Sequence, residues 1–165
     1  MRNGLLVFFG LLAVSTVIAF VLAGRYREDL TATQDVVLGL IYFMEQHGGR
    51  LPASEAEFRA AAFVEPLPGG AIRITPPPQT RFRRQTHGIP IRDLGPFRIR
   101  WGTDMSALTL GADGKAYDAE GRTVELAAWP SSPASGKGYT VVLLAAWEEI
   151  RTQGAAASVP GTHGP

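Results

Sequence analysis

Residues 4–24 read GLLVFFGLLAVSTVIAFVLAG and residues 30–44 read LTATQDVVLGLIYFM. The first stretch holds no charged residue, and Ser15 and Thr16 are its only polar members. Its 21 residues form a helix of about 31 Å, which matches the hydrocarbon core of a bilayer. It is therefore a transmembrane helix candidate. The alternative is a cleaved secretory signal, with Arg2 as its basic region and Val21-Leu22-Ala23 before the cut. The run is longer than a usual signal core and no A-x-A precedes Gly24, which favours an uncleaved anchor. Either way, the rest of the chain is exported. Arg2 before the run nearly balances Arg25 and Arg27 after it. The short N-terminal tail and the long domain beyond the run favour a single-pass protein with that domain on the periplasmic or extracellular side.

The second stretch continues as an amphipathic helix. Leu30, Val37, Ile41 and Met44 fall on one stripe, widened by Val36, Leu40 and Phe43, which is the helical period. That stripe needs a cover. His47-Gly48-Gly49 is a stop signal. If Arg25 to Asp29 does not interrupt it, one helix of about 66 Å runs from the bilayer into the domain as its spine. Thr31 with Gln34 can instead cap a separate helix.

Pro52 to Phe58 opens a short second helix. Ser54 is placed to accept from its first turn and Glu57 to reach back to the N-cap amide, with an end expected near Phe63. Beyond Glu65 the pattern is of strands and loops. Residues 71–75 (AIRIT) and 96–101 (PFRIRW) alternate, with Phe97, Ile99 and Trp101 on one face and Arg98 and Arg100 on the other, as in half-buried antiparallel strands. Pro76-Pro77-Pro78 starts a long connection through Arg92. Ala107–Leu110, the Asp113-Gly114 turn and Ala116–Asp118 read as a hairpin, and Thr123–Ala127 as a further strand. Residues 139–145 are the last strand candidate, although Ala145 to Ile150 has helical character. The expected architecture is α+β: a transmembrane helix continuing into an amphipathic helix packed on a small antiparallel sheet. Its divisions are an N-terminal tail or leader (1–3), the anchor (4–24), one extramembrane domain (25–153) and a low-complexity, disordered tail (154–165).

The order of these elements, the stretch Gly49-Arg50-Leu51-Pro52 with Ser54, and Leu110-Gly111-Ala112-Asp113-Gly114 together resemble the type IV pilin-like proteins, most of all the major pseudopilin of type II secretion. The resemblance reaches to about residue 127 through short motifs. It implies a pilin-like fold and a structural role in a secretion or pilus system. Two features depart from the family. Its leader ends in Gly, so Gly4 would make Leu5 the mature N-terminus, yet the fifth mature position, an assembly Glu in the family, is then Phe9. No acid lies in the apolar run. A carboxylate in lipid needs a partner and so sets register; without one, packing within the bilayer falls to Gly4, Gly10, Ala13, Ser15 and their apolar neighbours. The family's calcium loop suggests Asp113, Asp118 and Glu120 as metal ligands, although ordinary acidic turns account for them better, and no metal is favoured.

An enzyme is hard to build from this composition. Cysteine is absent, which removes thiol nucleophiles, disulfides and thiolate metal sites. His47, His87 and His163 are scattered, no Gly-Lys-Ser/Thr phosphate loop exists, and no cofactor or small-molecule substrate is expected. The most unusual polar feature is basic: Arg81, Arg83, Arg84, Arg92, Arg98 and Arg100 stand against Asp93 alone between residues 79 and 100. Such a cluster attracts an acidic partner surface or anionic lipid heads. The plainer account is a solvated loop that balances acids elsewhere, since the net charge is only +1. Nucleic acid is not expected, because Phe82 is the one aromatic available for stacking. The function expected is a non-enzymatic, membrane-anchored structural or accessory subunit of an envelope assembly, with other membrane or envelope proteins as partners. A pseudopilin is its leading form, and an accessory subunit of another integral membrane complex, stabilising it through anchor and basic loop, is the alternative.

Overall fold

The computed structural model describes residues 30–82, 86–128 and 136–157. These form an α+β domain. The 4–24 run, with Gly4, Gly10, Ala13 and Ser15, lies outside the described residues, as do Arg83, Arg84 and His163. Among the described residues no helix is long and apolar enough to cross a membrane.

The first helix, α1 (30–46), is more than amphipathic. Every residue from 35 to 44 is buried, polar Asp35 included, so the helix is covered on all sides instead of along one stripe. Val36, Leu40, Tyr42, Phe43 and Met44 lose nearly all contact with solvent. Gly39 makes part of this possible. A Cβ there would lie 2.8 Å from both Ile74 Cδ1 and Phe58 Cζ, so its bare backbone lets those side chains close over the helix.

The segment after α1 is a compact structural unit. Gly49 has φ +91° and a Cβ added to it would collide with the Trp147 ring; only glycine suits the turn and the packing together. Residues 49–52 then lie antiparallel to residues 102–105. Arg50 bridges Asp104, Leu51 N donates to Thr103 O at 2.9 Å, and Gly102 N donates to Pro52 O at 2.6 Å. The Arg50 guanidinium pairs with Glu57 at 2.5 Å and stands 5.8 Å from the Phe43 ring centroid. Ser54 caps α2 (Glu55–Arg59) by accepting from Glu57 N. The Glu57 carboxylate reaches one residue further than expected, accepting from Ala53 N rather than from the cap's own amide. Arg50 first, and that amide second, hold the Glu57 carboxyl below the usual carboxylate range. Phe58 carries the burial of α2. The helix ends at Arg59, not near Phe63, because Phe63 leads directly into a strand.

That strand, β1 (Val64–Pro66), pairs antiparallel with β2 (Ile72–Ile74), placing Glu65 opposite Arg73 in a 3.0 Å ion pair. Ile72 is bridged on its other side by Ile91. β3 (Arg98–Ile99) pairs with β7 (Ala127–Ala128). The alternation expected around it holds, with Phe97 buried, Ile99 and Trp101 half-buried and both arginines exposed. The Asp-Gly hairpin forms as β4 (Thr109–Leu110) and β5 (Ala116–Tyr117), extended by β6 (Thr123–Val124) into a three-stranded meander.

The last strand candidate is a helix. α3 (Gly136–Ala157) is 22 residues long and packs against β7 and β5. Leu143, Leu144 and Ala146 are buried on it, Tyr139, Trp147 and Ile150 partly so, a spacing of three and four that outweighs the β-branched pair Val141-Val142. Buried Thr140 accepts from Leu126 N at 3.0 Å, tying α3 to the strand region. The helix also continues through residues 154–157, where the composition suggests a disordered tail. α1 and α3 ascend side by side in the same direction: Gln34 and Val37 share a cleft with Tyr139 and Val142, and further along Glu45 and Gln46 share one with Ile150.

The Gly49–Trp147 contact can be tested directly. Gly49→Ala should destabilise the protein by about 2 kcal/mol or more, through positive φ and collision together. In a Trp147→Ala background the same change should cost about 1 kcal/mol less, because only the backbone penalty remains. Denaturation of the four proteins of this cycle in detergent measures the coupling.

Candidate functional site

The described parts of the long connection after β2, residues 75–82 and 86–92, form a strap tied to α1. Thr80 Oγ1 donates to Glu45 Oε2 at 2.6 Å and Arg81 N donates to Glu45 Oε1 at 2.9 Å. At the other end the Asp35 carboxylate accepts from His87 N at 2.8 Å and from Gly88 N at 3.0 Å, with His87 Nδ1 at 3.2 Å. The two acids are ten residues apart on α1, about 15 Å along its axis. The seven-residue step from Thr80 to His87 can reach up to about 24 Å when extended, enough for both ties, which meet α1 in the reverse order of its sequence. Arg73 Nε donates to Gly88 O at 3.0 Å, and Ile91 exchanges two 2.8 Å backbone bonds with Ile72. The strap is thus tied to both α1 and β2.

Burial decides which tie matters more. Asp35 is fully buried, so its charge must be compensated inside the protein, and two backbone amides on its two oxygens do this. Glu45 is only half-buried. Tyr42 lies between them in sequence, and its phenol pKa is raised, first by burial and then by the negative charges of Asp35 and Glu45. Neither acid belongs to a motif, and neither stands out among the candidate residues read from sequence. The Asp beside the apolar run Val36-Val37-Leu38 was the available signal, since an acid on a buried helix needs a partner.

The six arginines do not form one patch. Arg81 is exposed on a cleft with Leu38, Ile41, Phe82 and Val142. Arg100 is exposed on a different cleft, with Trp101, Asp104 and Asp118. Arg92 and Arg98 are also exposed. None of these four pairs with an acid among the described residues, whereas Arg50, Arg59, Arg73, Arg122 and Arg151 all do. The distinction matters: the charges of the second group are compensated locally, and those of the first are not among the described residues.

The three candidate calcium ligands serve their own turns. Asp113 accepts from Tyr117 Oη at 2.7 Å and pairs with Lys115 at 3.1 Å. Asp118 accepts from Arg122 N and Nε, each at 2.8 Å, and Glu120 pairs with Arg122 at 2.7 Å. Asp113 belongs to the β4–β5 turn, Asp118 and Glu120 to the β5–β6 turn, and these lie at opposite ends of the meander. Among the described residues no three acids or histidines gather where they could hold a metal. His47 stacks on Phe43 with ring centroids 3.8 Å apart, and His87 sits against Asp35, so the two histidines serve different contacts. No family model, curated protein or solved structure matches this chain.

The two strap ties should differ in their energetic weight. Asp35→Ala removes a fully buried acceptor that joins two segments and should destabilise by about 2–4 kcal/mol, against about 1 kcal/mol for Glu45→Ala, where water already reaches the carboxylate; thermal melts by circular dichroism rank the two. The hairpin should respond to pH. The Tyr117 hydroxyl first, then the Lys115 ammonium, lower the Asp113 pKa from 3.8 to about 2. A depressed acid favours the folded state above its unfolded pKa and loses that contribution as pH falls. The β4–β5 hairpin should therefore loosen between about pH 4 and pH 2, seen in Tyr117 ring resonances, and Asp113→Asn should remove that pH dependence.

Proposed function

We propose that this chain is a non-enzymatic, membrane-anchored subunit of an envelope assembly, with residues 4–24 as its transmembrane helix and its domain on the exported side. One observation carries the proposal. The uncharged run ends at Gly24, and residue 30, the first described, already belongs to a helix that is buried on every side from residue 35 to 44. An anchor in the bilayer would then be joined to the central element of the domain and not to a peripheral loop, the connection required of a subunit that transmits position from membrane to complex.

The pilin-like form rests on the motif order, and the Gly49–Pro52 stretch has a structural counterpart in its pairing with residues 102–105. The accessory form, a subunit serving some other integral complex, draws support from the acid-free apolar run, which has no charge to fix register between identical copies, and from the exposed unpaired arginines. Both forms make the protein a component and not a catalyst, with protein partners and anionic lipid as its contacts.

The full chain should remain in the membrane fraction through carbonate and high-salt washing. Gentle detergent extraction should then release it together with other membrane proteins. Release by carbonate alone would contradict the anchor, and extraction as a lone monomer would contradict the subunit role.

A further inference from the structure

Residues 100–104 are held from two sides. Arg100 N donates to Leu126 O at 2.9 Å, and across the turn at Gly102 (φ +73°) Gly102 N donates to Pro52 O at 2.6 Å and Leu51 N to Thr103 O at 2.9 Å. Thr103 Oγ1 closes the turn on Arg100 O at 2.9 Å. These bonds fix one wall of a cleft of about 400 Å³, and the β5–β6 turn forms the other. Its volume lies in the range of small-ligand sites. Trp101 and Leu108, both partly buried against the core, give it an apolar surface, and the Trp101 ring is set by Phe58, whose ring centroid is 6.2 Å away. Every residue lining the cleft is described, as are the chain neighbours of each.

The polar groups of the cleft select the ligand. Among the described residues the Arg100 guanidinium has no partner, and Asp104 accepts from Ser106 N at 2.8 Å and Ser106 Oγ at 2.7 Å through Oδ1 alone, which leaves Oδ2 open. Asp118 and Glu120 are both paired with Arg122. Charges of both signs therefore face the same space. A carboxylate ligand meets Asp104 and an ammonium ligand meets Arg100, so neither gains from the whole set. Ion pairs at such exposed side chains contribute little in any case. A neutral polyol uses both groups at once: one hydroxyl donates to Asp104 Oδ2 while another accepts from the guanidinium. If that polyol is a ring, its C–H face can cover the indole, and this apolar contact supplies most of the affinity. A β-linked, gluco-configured pyranose fits best, because its equatorial hydroxyls project around the ring and leave both faces apolar. Arg100, Asp104 and Glu120 are exposed, so a longer glycan can pass over the open side.

We propose that the Trp101 cleft binds a neutral glycan of β-linked, gluco-configured pyranoses, one ring lying on the indole with its hydroxyls shared between Arg100 and Asp104. This contact goes beyond the anchored-subunit function and does not depend on it, since every residue of the cleft belongs to the described domain.

The test uses the full chain in a detergent without a sugar head group. Cellotetraose and chitotetraose are the probes, with glycine as a zwitterionic control, and binding is read by saturation-transfer NMR and by the Trp101 indole N–H resonance. At least one glycan should bind with a Kd of about 1 mM, the strength expected for one ring in an open cleft, and should shift that resonance. Arg100→Ser and Asp104→Asn, the latter keeping an acceptor for Ser106, should each weaken binding by about fivefold or more while the protein melts as before. Arg92→Ser, an exposed arginine outside the cleft, should leave binding unchanged. Saturation transfer to neither glycan, transfer to glycine alone, or glycan binding indifferent to both Arg100→Ser and Asp104→Asn would overturn the proposal.

Discussion

A buried carboxylate organises this domain. Asp35 sits on a helix with no access to water, and its charge is tolerable only because the His87 and Gly88 amides meet it from a segment 52 and 53 residues away in sequence. Removing those amides would leave the carboxylate stranded in a low-dielectric interior. The interaction therefore fixes where residues 87 and 88 lie against α1. Glu45 repeats the arrangement about 15 Å further along the helix, more weakly because water still reaches it.

The coarse architecture was legible because it depends on periodicity and turn chemistry. Leu30 to Met44 announced a helix, Asp113-Gly114 a hairpin, and Phe97, Ile99 and Trp101 the inward face of a strand. What escaped depends on contacts distant in sequence. Tyr139 to Ala145 carries both strand and helix character, and the decision came from α1 and β7 lying on two sides of it, which no local window contains. β1 was hidden for a similar reason: Val64 to Pro66 is too short to announce itself and forms because Ile72 to Ile74 lies opposite. The arginines were recognised as unusual, but their division into fold-committed and unpaired groups appears only when acids distant in sequence are placed beside them.

For function, that division carries more weight than the total of six charges. Arg73 and Arg50 hold β-strand and turn in place, so their charge is already committed locally. Arg81, Arg92, Arg98 and Arg100 cover no core and pair with no described acid. A surface that keeps unpaired guanidiniums in two separate clefts is suited to specificity and encounter more than to tight binding by area. On the proposed anchoring, high affinity would be less needed, since confinement to the membrane raises the effective concentration of any partner held there.

Residues 80–82 and 86–91 are part of the folded core through Asp35 and Glu45, and not a loop resting on it. Native-state hydrogen exchange on the full chain in detergent tests this most directly. The amides of His87, Gly88 and Ile91 should open only with the same free energy as those of Leu40 to Met44, in one cooperative unit. Exchange of His87 and Gly88 at the rate of an unprotected loop, while α1 stays protected, would contradict it.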